Sequence, residues 1–144
     1  MQKRIAGMLA VVIVVAATAA FAQGPKAALG GYCPVAYVAM NKAVKGDAAY
    51  SSERNGHTYL FANGDAKKMF DSAPEKYLPA YDGWCATAVA RGMKVASDPT
   101  LFSVTNGRAY LFSNAEAKAM FDKDPGGTIT KADAGWAKLT NATK

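Results

Sequence analysis

Two blocks of this chain repeat one another. "NGHTYLFANGDAKKMFD" from Asn55 and "NGRAYLFSNAEAKAMFD" from Asn106 align without a gap, sharing Asn-Gly, Tyr-Leu-Phe, an Asn, Ala-Lys and Met-Phe-Asp. The match extends backwards, because "GYCPVA" from Gly31 and "GWCATA" from Gly83 stand at nearly the same distance ahead of the two blocks. Cys33 and Cys85 are therefore equivalent positions in a tandem duplication, with copies over about 31–82 and 83–134. An internal period constrains the fold strongly, since each copy forms the same unit and neighbouring units bury each other's apolar faces. A third Gly-aromatic pair, Gly135-Trp136, follows one period later with Ala137 in the cysteine's place, and is expected to be a remnant third start that caps the fold.

Each copy reads as a hairpin followed by a helix. In "YSSERNGHTYLFA" two alternating runs flank Asn55-Gly56, and "LFSVTNGRAYLFS" repeats the design around Asn106-Gly107; Asn-Gly is the strongest signal for a two-residue turn that needs positive φ. Helices are expected from about Gly64 to Ser72 and from about Ala115 to Asp122, with Met69, Phe70, Met120 and Phe121 facing inward as core. Ser113-x-x-Glu116 resembles a capping box, and Pro74 and Pro125 mark the helix ends. The expected fold is α+β: one small domain of two tandem ββα-like units in a pseudo-twofold arrangement, closed by a C-terminal helix.

The first residues are of another kind. "MQKRIAGMLAVVIVVAATAAFAQ" has a basic head at Lys3 and Arg4, an uncharged apolar run, and the small-x-small pattern Ala20-Phe21-Ala22, the marks of a secretory signal peptide over 1–22. Residues 23–144 then form the domain, enough for a single core, and no later segment is apolar long enough to span a bilayer. The expected location is the periplasm or the exterior. The formal charge is +6, of which Lys3 and Arg4 supply two, and both signs are interspersed elsewhere. A solvated surface explains this, and nucleic acid is not an expected partner.

Within this frame the cysteines carry the chemistry. Pro34 suits the first position of a helix, which makes Cys33 an N-cap with "PVAYVAM" as a short helix; a buried strand is the rival. Cys85 opens "CATAVARG", read as a helix ending at Gly92. A thiol at a helix start meets unpaired N–H groups, which favours thiolate. Two fates follow. A disulfide would close a loop of about 50 residues and stabilise by roughly 4 kcal/mol in the chain-entropy picture. Alternatively, two thiolates would bind a soft ion such as Cu(I), with Met40, Met93 and His57 as weaker candidate ligands. Structural zinc is less natural, because four ligands and Cys-x-x-Cys spacing are missing. Gly-x-Ser-x-Gly, phosphate-loop and His-Glu-x-x-His signatures are absent from the sequence as well, so no enzyme activity is expected.

"GYCPVAY", "PEKYLPAYDGWCA" and the closing "KADAGWAKL" together resemble the exported YHS-domain proteins of bacteria, in which the corresponding stretches look like "GYDPVAYF", "PEKYxPxYGGYCA" and "KADxNWPxL". The resemblance covers almost the whole chain after the leader. YHS domains also accompany copper and heavy-metal P-type ATPases, in versions with extra cysteines at positions that match Ala62 and Ala66 here, so that ligand set does not carry over. Cys85 matches the cysteine of the exported branch, whereas Cys33 stands where that branch has a capping Asp. The leading expectation is a periplasmic protein that binds or relays a soft metal ion through Cys33 and Cys85. The alternative is a disulfide-stapled, non-catalytic domain binding a protein or small ligand through Tyr32, Tyr37, Tyr81 and Trp84; a second copy of the chain is a further expected partner.

Overall fold

The computed structural model describes residues 26–142, so the expected leader at 1–22 lies outside the described residues. The chain runs through a turn (Ala28–Gly31), α1 (Pro34–Met40), β1 (Asp47–Arg54), β2 (His57–Phe61), α2 (Gly64–Ser72) and α3 (Pro74–Tyr77). It then repeats the succession: turn (Ala80–Gly83), α4 (Ala86–Ala90), β3 (Asp98–Thr105), β4 (Arg108–Phe112), α5 (Ala115–Lys123) and α6 (Pro125–Asn141). This is the α+β fold of two ββα-like units and a C-terminal helix. The "PVAYVAM" segment is helical, not a strand, because Pro34 at its first position costs no hydrogen bond there.

Both hairpins turn on Asn-Gly as expected. Asn55 and Gly56 have φ of 52° and 78°, Asn106 and Gly107 of 54° and 75°, the doubly positive turn whose twist matches that of the strands. Each two-stranded antiparallel sheet carries a register shift at the same place, between Asp47 and Ser51 and between Asp98 and Phe102. There the aspartate accepts a backbone N–H two residues on, from Ala49 at 2.8 Å and from Thr100 at 2.9 Å. Such a bulge bends the strand.

The helix starts differ from expectation. Asn63 and Asn114 are the caps, their side chains accepting the N–H of Ala66 at 2.9 Å and of Ala117 at 2.8 Å. Ser113 lies one residue too early for a capping box, and its hydroxyl turns elsewhere. The expected inner face is corrected too. Phe70 and Phe121 are buried, but Met69 and Met120 are 41% and 46% exposed. Adjacent helical residues lie about 100° apart, so Phe70 and Phe121 take the centre of the buried face and each methionine falls at its edge, open to solvent. Ala66 with Phe70, and Ala117 with Phe121, supply the buried stripe.

Each unit has its own core of matched aromatics. Phe70 packs on Phe61 and Tyr59 at centroid separations of 5.0 and 5.5 Å, and Phe121 on Phe112 and Tyr110 at 5.0 and 5.1 Å. A third cluster, Tyr37, Ala109 and Leu111, joins the units, and the Tyr37 hydroxyl donates to the Pro99 carbonyl at 2.7 Å. Gly135-Trp136 does not begin a third unit. It lies inside α6, which packs along α4, with Gly135 against the Val89 carbonyl and Trp136 on the Tyr81 ring.

The buried phenols set an alkaline limit on this fold. Burial, with the Asp82 charge adding, pushes Tyr59 up to about 12. Burial also raises Tyr37 and, with a hydrogen bond to Asp133, Tyr81 well above the ordinary value. Above about pH 10 the unfolded chain releases phenolic protons that the native chain retains, so stability falls as pH rises through this range. Titrating phenolate absorbance beside circular dichroism is expected to show these tyrosines ionising only as the chain unfolds; native dichroism with every tyrosine ionised would contradict it.

Candidate functional site

Two matched turns place the cysteines. Leu29, Gly30 and Gly31 have φ of 57°, 59° and 84°, and Tyr81, Asp82 and Gly83 of 56°, 52° and 82°. Three left-handed residues in succession reverse the chain, and glycine takes the last position with the largest φ at least cost. At Gly83 a Cβ would also come within 2.7 Å of the Leu29 side chain. After each turn come an extended aromatic residue and then the cysteine, which occupies the N-cap position of α1 or α4. The Cys33 N–H donates to the Val44 carbonyl at 2.7 Å and the Cys85 N–H to the Val95 carbonyl at 3.0 Å.

Both are free thiols, each 1% exposed. Neither side chain caps its helix. They belong to different core clusters, Cys33 with Phe61 and Phe70, Cys85 with Phe112 and Phe121. Each lines a separate cavity open to the surface, of about 200 Å³ at Cys33 and about 270 Å³ at Cys85.

Each cavity holds two further sulfurs. Met40, at the end of α1, and Met69, on α2, line the cavity of Cys33. Met93, just beyond α4, and Met120, on α5, line that of Cys85. All four methionines are 41–58% exposed. The duplication thus builds the same trio twice: one buried thiol under two thioethers. Met40 and Met93 were expected as weak candidates, while Met69 and Met120 had been assigned to the core.

The linings of the two cavities differ. Around Cys33 stand Val35, Ala36, Ala39, Ala62 and Ala66, with Asn63 and Asp65. Around Cys85 the lining includes Thr87, Arg91, Ser113 and Glu116. The Ser113 hydroxyl donates to Cys85 Sγ at 3.4 Å, and Arg91 Nη2 to Met120 Sδ at 3.5 Å. Thr87 Oγ1, buried, donates to the Ala117 carbonyl at 2.7 Å and ties α4 to α5, the two helices flanking the cavity.

His57 lies apart from both trios. It is exposed at the first position of β2, opposite Arg54, with its ring 6.4 Å from Tyr59. Among the described residues no three His, Cys, Asp or Glu side chains gather in one place. The expected aromatic surface is corrected: Tyr37 and Tyr81 are buried, Tyr37 in the cluster that joins the units and Tyr81 in the core of the second, against Tyr110 and Trp136. Tyr32 and Trp84 remain half-buried, under Lys45 and Lys94 at 5.4 and 5.9 Å from the ring centroids. No helix among the described residues is long and apolar enough to cross a membrane.

Compared with protein-family models, with curated proteins and with solved structures, the chain matches none.

Proposed function

We propose that the chain is an exported, YHS-like protein that binds a soft monovalent metal ion, Cu(I) in the first place, and holds or relays it without catalysis. The observation that carries this reading is the repeated trio of one buried free cysteine and two exposed methionines around a cavity. Thioether and thiolate sulfur are soft donors that select Cu(I) over hard divalent ions. On binding, the thiol gives its proton to solvent, and one thiolate with one monovalent ion makes a neutral unit. A mostly apolar cavity tolerates that unit, whereas a divalent ion would leave an uncompensated charge. Each cysteine therefore serves its own ion, and the pair is not a single two-thiolate site.

Two further features support it. Ala62 and Ala66, which match the extra cysteines of YHS domains beside metal pumps, line the Cys33 cavity, so this is the side of the unit where that resemblance would put a metal. The leader expected at 1–22 suits a compartment where such ions are handled. Tested on the reduced full chain against a chromogenic Cu(I) chelator, the reading requires uptake of Cu(I) in competition; no uptake would end it.

A further inference from the structure

The duplication makes the two sulfur trios alike, and the residues around them make them unequal. At the Cys33 cavity, Asp65 is the one charged side chain in the lining among the described residues, and none of their hydroxyls or cations engages a sulfur there. At the Cys85 cavity, Ser113 donates to the thiol and Arg91 to the Met120 thioether, with Glu116 also in the lining. A hydrogen bond to sulfur occupies an electron pair that a metal would use. A guanidinium beside the thioether repels an incoming cation and must be displaced before Met120 can ligate.

We infer that the two sites fill in order: the Cys33–Met40–Met69 site takes the first monovalent soft ion and holds it, and the Cys85–Met93–Met120 site takes the second and exchanges it. The inference rests on the function proposed above and adds direction to it. The first copy stores, and the second, gated by Arg91, is the site from which an ion passes to a partner or competitor. Arg91 is a positioning residue here and not a ligand: it holds Met120 through its hydrogen bond, and its charge opposes an incoming cation.

The full chain labelled with ¹³C at the methionine methyls tests this, with Ag(I) in chloride-free buffer as a redox-inert probe and single Met→Leu variants for assignment. In the first equivalent the Met40 and Met69 methyls are expected to shift; in the second, Met93 and Met120. Arg91→Leu is expected to tighten the second site about tenfold, the effect of one nearby charge in a partly solvated setting, and to bring the two steps closer together. Shifts of Met93 and Met120 first, shifts of all four in step, or an Arg91→Leu titration identical to the parent would each overturn the ordering and leave the metal function standing. No shift at any of the four would overturn both.

Discussion

Cys33→Ser and Cys85→Ser are each expected to remove one of two bound Cu(I) ions, and the double variant to bind none in competition with a chelator. Serine offers a hard, neutral oxygen where the ion needs a soft anionic ligand. The two methionines left behind bring no negative charge, so affinity at the altered site should fall by a factor of about a thousand or more. The cysteines sit in separate cavities under separate methionine pairs, so the loss at one leaves the other intact. A shared dithiol site would behave otherwise: either single change would abolish all binding. Serine in a 1% exposed place also costs stability, about 1–3 kcal/mol for a hydroxyl without a good partner. Cys→Ala variants therefore accompany the series. They leave no polar group unpaired and are expected to lose metal in the same pattern while melting closer to the parent.

Gly135→Ala is expected to have the largest effect on the fold. A Cβ at Gly135 would collide with the Val89 carbonyl oxygen and lie 3.2 Å from its carbon. Both are backbone atoms of α4 and cannot swing aside, so α6 must move off the helix it covers. Ala132, fully buried on α6, and Trp136, packed against the same cluster, would lose contacts in that movement. Overpacking against backbone costs about 3 kcal/mol, a large part of the roughly 5–15 kcal/mol that holds a domain of this size together. The midpoint of thermal unfolding should drop by on the order of 10 °C. Gly126→Ala is the control on the same helix: nothing lies within 4 Å of its Cβ position, and removing a helical glycine there should leave the midpoint unchanged or raise it. Equal midpoints for Gly135→Ala and the parent would contradict the close approach of α6 to α4.

The repeat made most of the fold legible. Asn-Gly turns, the helices after them and both cysteine-led helices stand where the residue pattern places them, because short-range rules of turn geometry and capping act within each copy. The site was legible in part. Cys33, Cys85, Met40 and Met93 were visible as candidates, since sulfur at matched spacing is a chemical signal. Met69 and Met120 were misassigned because "MF" was taken as two core residues. The 3.6-residue period allowed that reading, since each methionine stands three residues after the buried alanine and beside the phenylalanine, at the edge of the same stripe. Ser113 and Arg91 were missed for another reason. Their roles depend on how α4, β4 and α5 come together, and only the replacement of Ala62 by Ser113 between the copies hinted at a difference. Gly135 was read as part of a third start and not as a packing residue, because a helix crossing in the second unit, where the first has only the four-residue α3, fixes its need for a small residue.

X-ray absorption at the copper edge, on the full chain loaded with two equivalents of Cu(I), reads the ligands of both ions. Cu(I) ligated by sulfur alone is expected, with scattering that loses short Cu–S contributions in Met69→Leu and Met120→Leu. A nitrogen or oxygen shell, a copper–copper vector from a shared two-thiolate cluster, or a spectrum unchanged by both methionine substitutions would contradict it.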